Sequence, residues 1–212
     1  MGNEPTVFIV DDDEAMRNSL KWLIESVAMQ VETYDSAQAF IESYYPGRSG
    51  CLLLDVRMPG MSGLELQEYL IDHHIHIPVI IITGHGDVPM AIRAMKVGAV
   101  DFIEKPFNDE LLLESIRHAL LLDERQRDKQ SQRAEIAARL AGLTPREHEV
   151  MAMVTAGLAN KDIAAALGVT SKTVEAHRAR VMEKMQAASL AELVRMAVLA
   201  NIGAEDGDGD PS

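Results

Sequence analysis

Two hydrophobic periods alternate along the first part of the chain. Short runs, "TVFIV" (6–10), "QVETY" (30–34), "CLLLD" (51–55), "PVIIIT" (78–83) and "DFIEK" (101–105), read as strands. Helical patterns lie between them. "EAMRNSLKWLIESV" places Met16, Leu20, Leu23, Ile24 and Val27 on one face. The runs at 6–10, 51–55 and 78–83 are almost continuously apolar, so both of their faces need cover. This predicts a parallel sheet between two helical layers. Five strand–helix units within residues 5–122 predict a doubly wound α/β domain with a five-stranded parallel sheet of order 2-1-3-4-5. Such sheets bind ligands at the carboxyl ends of their strands, near the point where strand order reverses.

Beyond residue 122 the pattern changes. "DERQRDKQSQR" (123–133) has no apolar side chain and no Gly or Pro, which predicts an exposed helical linker over 123–142 that continues the fifth helix. The polar gap breaks any heptad seam and argues against a dimerising coiled coil. From Leu143 the period is wholly helical. "TPRE" (144–147) is a capping box with Pro145 at the first helical position. "NKDIAAALGV" stops at Gly168, a C-terminal cap, and "SKTVEAHRARVMEKM" starts at Ser171. "SLAE" (189–192) is a second capping box. Four short helices over 143–202, the middle two separated by "GVT", predict an all-α helix-turn-helix domain. The tail 203–212, "GAEDGDGDPS", predicts disorder; its "DGDGD" has no twelfth-position Glu to complete a calcium loop.

Charge sharpens this division. The net charge is −13, but residues 1–124 carry 21 acids against 8 bases, and residues 143–203 carry 6 against 7. The overall acidity therefore does not argue against nucleic-acid binding by the C-terminal third. No apolar run reaches the roughly 18–20 residues of a membrane span. "MGNEPTVFIV" lacks the basic region of a signal peptide, and the match of "MGNEPT" to a myristoylation pattern is read as coincidence. The single cysteine, Cys51, reads as a small buried strand residue in a reducing cytosol. Together these predict a cytoplasmic protein with no membrane partner.

The candidate chemistry lies at the strand ends. Asp55 closes the most apolar strand, where an unpartnered carboxylate is expensive. The doubly wound order sets the first strand beside the third, so Asp11 and Asp12 should approach Asp55. Two unit charges 4 Å apart repel by about 4 kcal/mol at an effective dielectric near 20. Three carboxylates call for a cation, and an all-oxygen set of this size suits Mg²⁺. Strand 78–83 ends in Thr83 and strand 101–105 in Lys105. One edge thus collects three carboxylates, a hydroxyl and an ammonium, the groups of a phosphoryl site with Asp55 as nucleophile.

"VDDDE", "LLLDVRMPGMSG", "IIITGHGD" and "AVDFIEKPF" resemble the receiver domain of bacterial two-component response regulators. "LTPREHEVM", "GLANKDIAAALGVTSKTVEAHRARVMEKM" and "SLAELVRMA" resemble the LuxR-type DNA-binding domain. The pairing resembles the NarL/FixJ family, the FixJ branch above all, over nearly all of residues 5–202. The resemblance implies that Asp55 is the phosphoacceptor. Asp12, Asp55 and the Arg57 carbonyl would be direct Mg²⁺ ligands, with Asp11 acting partly through water. Thr83 would be the switch hydroxyl, Lys105 the phosphate-binding lysine, Phe102 the aromatic switch residue, and Lys105–Pro106 a cis peptide. A sensor histidine kinase would donate the phosphoryl group. The phosphorylated chain would form a homodimer and bind double-stranded promoter DNA, with RNA polymerase as a further partner. It would be no enzyme beyond promoting its own phosphorylation and dephosphorylation. In the second domain Glu175, Ala176 and Ala179 would face base edges, with Thr173 beside them, and Lys161, Lys172, Arg178 and Lys184 would contact phosphates. A haloacid-dehalogenase-type phosphatase also uses a strand-end aspartate, but the Thr expected after its D-x-D pair is replaced by Ala15, and it leaves the helix-turn-helix unexplained. A DNA-binding adaptor with a vestigial receiver is disfavoured by the full set of five site residues.

Overall fold

In the computed structural model the described residues are 4–45, 47–84 and 88–205, with side chains described through Ala200. The chain divides into two compact units, Met1–Arg127 and Asp128–Ser212.

The first unit alternates strand and helix: β1 (Thr6–Val10), α1 (Glu14–Glu25), β2 (Gln30–Tyr34), α2 (Ala37–Ser43), β3 (Gly50–Asp55), α3 (Gly63–Asp72), β4 (Val79–Thr83), α4 (Val88–Lys96), β5 (Asp101–Glu104), then the start of α5 (Asp109–Ala141). All pairings are parallel, in the order β2-β1-β3-β4-β5. Every residue of β3 is buried, as its unbroken apolar run requires. Its alternate side chains feed two cores. Leu52 and Leu54 join Phe8, Phe40 and Leu66 on one face of the sheet. Cys51 and Leu53 join Leu20, Ile24, Ile80 and Ile116 on the other. Gly50 opens β3 because nothing larger fits: a Cβ there would lie 1.8 Å from the Thr6 carbonyl oxygen.

The second unit is helical: the end of α5, then α6 (Pro145–Thr155), α7 (Asn160–Leu167), α8 (Ser171–Met185) and α9 (Leu190–Glu205). Thr144 and Glu147 form both halves of the expected capping box. Gly168 caps α7 at φ +65°, and the Thr170 hydroxyl caps α8. Val150, Val154, Ile163, Val174, Val181, Met185 and Leu193 make one core.

Three expectations need correction. Residues 123–141 are helical and continue the fifth helix, but they are not uniformly exposed. Asp123 is buried, accepting hydrogen bonds from the Ser49 hydroxyl (2.8 Å), the Gly50 N–H (2.9 Å) and Arg127 Nε (2.8 Å). Arg127 also donates to the carbonyls of Gly47 and Arg48, so the clasp ties α5 to the segment entering β3. The helical core begins before Leu143, since Ile136 is buried in it and Leu140 packs against it. Finally, residues 203–205 of the expected disordered tail belong to α9; the rest of that tail, 206–212, lies outside the described residues.

Candidate functional site

The topology brings the ends of β1, β3, β4 and β5 to one edge. Asp11 follows β1, Asp55 ends β3, Thr83 ends β4 and Lys105 follows β5. Asp11, Asp55 and Thr83 are all buried. Lys105 joins the two acids: its Nζ lies 2.7 Å from Asp11 Oδ2 and 2.8 Å from Asp55 Oδ1. The remaining oxygens accept backbone donors, Asp13 N–H to Asp11 Oδ1 (2.8 Å) and Arg57 N–H to Asp55 Oδ2 (2.7 Å). Arg17, on α1, holds the Asp11 carbonyl from behind at 2.7 Å. The loop after Asp55 folds back tightly enough that Gly63 N–H reaches the Val56 carbonyl, and a Cβ on Gly63 would lie 2.2 Å from the Asp55 carbonyl oxygen.

The electrostatics are those of a strained pair. Burial pushes the Asp55 carboxyl above the ordinary aspartate value; the Lys105 ammonium pulls it back and neighbouring Asp11 pushes it up again. Burial also opposes charge on Lys105, but its two carboxylate partners together outweigh it and hold its pKa above the usual lysine value. One ammonium between two carboxylates leaves one excess negative charge in a largely enclosed site, and all the donors are hard oxygens. This donor chemistry fits a Mg²⁺-sized cation. Asp12 is not drawn into the pair: it is exposed, and among the described residues no group of three or more His, Cys, Asp or Glu side chains stands close enough to hold a metal ion. The expected three-carboxylate cluster is therefore two carboxylates and a lysine. The peptide Lys105–Pro106 is cis. Phe102 is half-buried against the core that includes Leu54 and Ile81, and lines an open groove of about 620 Å³ between β5 and α5. His85, Gly86 and Asp87 of the "TGHGD" motif lie outside the described residues.

On α4, Ile92 and Met95 are each about half exposed, and Val88 more so. Arg93 is paired with Glu68 on α3 at 2.7 Å. Asp101 accepts the Ser115 hydroxyl and the Phe102 N–H.

In the helical unit α8 buries Val174, Val181 and Met185 and leaves Lys172, Glu175, Ala176, Ala179 and Arg180 exposed. Thr173 is half-buried, its hydroxyl against that of Thr170 at 2.9 Å. Lys161, on α7, is exposed. Arg178 is half-buried and donates to Asn160 Oδ1 at 2.5 Å, a partner the sequence did not suggest. Lys184 is engaged within the unit: its Nζ lies 2.6 Å from Glu147 Oε2 and 3.1 Å from the Gly142 carbonyl. The Lys184 hydrogen bond, with those from Thr144, lowers the Glu147 carboxyl to about 2.

Two family models match the chain: the response regulator receiver domain over residues 7–117 and the bacterial regulatory proteins of the luxR family over residues 141–197. The chain is 48% identical over 206 residues to the transcriptional regulatory protein FixJ of Azorhizobium caulinodans, covering 97% of each chain. It is 49% identical over 201 residues to FixJ of Rhizobium meliloti, covering 93% of this chain and 97% of that one. Among solved structures, the response regulator StyR is similar with a TM-score of 0.84 at 44% identity, over 92% of this chain and 98% of that one. Full-length FixJ from B. japonicum is similar with a TM-score of 0.58 at 45% identity, over 94% and 98%. Strand order, helical unit and relatives agree: the chain belongs to the FixJ-like two-component response regulators, transcriptional regulators that join a receiver domain to a LuxR-type DNA-binding domain.

Proposed function

We propose that Asp55 accepts a phosphoryl group from a sensor histidine kinase and that this switches the chain into a DNA-binding homodimer. The observation that carries the reading is the Lys105 ammonium shared between two buried carboxylates. An Asp55 oxygen attacks phosphorus, the P–N bond of the donor phosphohistidine breaks, and its electron pair returns to the imidazole nitrogen. Lys105 can neutralise a phosphoryl oxygen, and the Thr83 hydroxyl, at the adjoining strand end, can donate to another. Asp11, Asp55 and the Arg57 carbonyl would hold Mg²⁺, with exposed Asp12 turning in to complete the set, and the ion would supply charge neutralisation. Thr83 and Phe102 then move together as the switch. The chain is read as promoting only its own phosphorylation and dephosphorylation, in the cytoplasm.

Dimerisation is assigned to the surface of α4 and β5. The apolar side chains exposed there include Val88, Ile92 and Met95, and the exposed charges include Lys96 and Glu104, of opposite sign. A two-fold interface can satisfy both, because it must be self-complementary. On DNA, α8 enters the major groove of a promoter with Glu175, Ala176 and Ala179 toward base edges and Thr173 at its start. Lys161, Lys172 and Arg178 contact phosphates, and RNA polymerase is the partner downstream. Lys184 leaves this set, because Glu147 already holds it.

The test uses acetyl phosphate and Mg²⁺ with the full chain. One stoichiometric, acid-stable and base-labile acyl phosphate is expected, absent in Asp55→Asn. A dimer should appear by sedimentation only in the phosphorylated form. Equal labelling of Asp55→Asn would overturn the reading, and turnover of many substrate molecules would make the chain a phosphatase instead.

A further inference from the structure

α8 carries one basic side chain whose position is set by another helix. Arg178 Nη1 donates to Asn160 Oδ1, the first residue of α7, across 2.5 Å. Both residues are half-buried. Together with Val150, Met151, Val154, Val181 and Met182, Arg178 lines a small apolar pocket at the edge of the helical core, where a long side chain can cover apolar surface with its stem and keep its charged head in water. Among the described residues Asn160 is the one acceptor given to this guanidinium. A guanidinium has five N–H donors in a fixed plane. One is used, and the others remain for a ligand.

Exposed Lys161 and Lys172 present no such arrangement: each is a flexible point charge. Arg178 is half-buried beside that pocket and is held by an acceptor at its tip. Asn is suited to the task because it is neutral. An Asp at 160 would hold the fork as firmly but cancel its charge.

We infer that Asn160 is a positioning residue for DNA binding: it pre-sets the Arg178 guanidinium so that its unused N–H groups meet a phosphate without further ordering. The inference rests on the reading that α8 faces DNA. Immobilising one long side chain on binding costs enough to lower affinity by about threefold to tenfold. Asn160 removes that cost in advance.

A double-mutant cycle on the phosphorylated full chain tests this, with a 30-base-pair random-sequence duplex at two salt concentrations. Arg178→Ala should weaken binding and reduce the salt slope by about one phosphate contact. Asn160→Ala should weaken binding about threefold to tenfold with the slope unchanged, because the charge is still present but no longer aimed. In the Arg178→Ala background, Asn160→Ala should have no further effect. Asn160→Asp should lower both affinity and slope, since the pair becomes neutral. Additive losses in the double variant would overturn the inference while leaving the DNA-facing role of Arg178 intact. An Arg178→Ala variant with unchanged affinity and slope would overturn both. A loss in Asn160→Ala that tracks a fall in helix content would assign Asn160 to the fold alone and also overturn the inference.

Discussion

The receiver edge and the helical unit each contain a buried acid joined to a lysine, and the two differ in what remains unsatisfied. At the receiver edge one ammonium serves two carboxylates, and Asp55 stays above the ordinary aspartate value. In the helical unit Lys184 serves Glu147, which also accepts the Thr144 N–H that its own helix start must place, and its pKa falls to about 2. The first arrangement stores a charge imbalance that an incoming cation or phosphoryl group can relieve. The second has no imbalance left and works as scaffolding. Similar residue types and similar distances therefore serve opposite ends, and the sign of the carboxyl shift separates them.

The largest way to break this contrast is Lys105→Ala. It leaves Asp11 and Asp55 facing each other without a cation, and breaking a buried pair in this way costs about 3–5 kcal/mol. Thermal melts should show a deep loss at pH 7.5 and a partial recovery at pH 5. The direction follows from linkage: a carboxyl whose folded pKa is raised binds more protons in the native state, so stability grows as pH falls toward the unfolded value. Parent-like stability at pH 7.5 would mean that the imbalance is not felt.

Asp123→Ala comes next. It strips acceptors from the Ser49 hydroxyl, the Gly50 N–H and Arg127 together, and should cost about 2–3 kcal/mol in unfolding of the receiver. Labelling of Asp55 by acetyl phosphate should persist at parent levels under native conditions. Loss of labelling in a folded variant would couple the clasp to the phosphoryl site.

Glu147→Gln sharpens the comparison from the scaffolding side. With a depressed folded pKa, Glu147 contributes stability that is present above its ordinary value near 4.5 and is lost as pH falls to about 2. Amide exchange in α6 and α8 should be faster than in the parent at pH 6, and the gap should close as the pH is lowered through that window. A gap that persists unchanged at pH 2 would remove the carboxylate from the account.

Smallest in stability, within about 0.5 kcal/mol, are the exposed residues of the DNA-facing surface. Glu175→Ala should reduce preference for the operator over a scrambled duplex while affinity for the scrambled duplex holds or rises. Lys161→Ala should weaken both equally and flatten the salt slope by about one. Titration of both variants against both duplexes separates these roles.

Much of this was legible because it repeats with a period or ends an element. The all-buried β3 announced itself through "CLLLD", and the parallel topology then carried Asp11, Thr83 and Lys105 to the edge where Asp55 stands. The capping box at Thr144 was visible because its two partners are three residues apart. Asp123 was invisible, because its partners Ser49 and Gly50 lie 74 and 73 residues away and nothing about a lone acid in a polar run points to them. Asn160 and Arg178, 18 residues apart on different helices, were hidden for the same reason. The exposure of Ile92 and Met95 was hidden because an apolar pattern states which face of a helix is greasy and not whether the rest of the chain covers it.

The clasp at Asp123 bears on where the receiver can be cut. A fragment ending at Leu122 would follow the composition of the chain, since every residue after it is polar as far as Arg133. It would also discard the one side chain that accepts from both Ser49 and Gly50 at the entry to β3. A fragment ending beyond Arg127 keeps that acceptor and the guanidinium that covers the Gly47 and Arg48 carbonyls. The shorter piece should express as a frayed, protease-sensitive receiver and the longer one as a compact one, although the five or six residues that separate them look like dispensable linker.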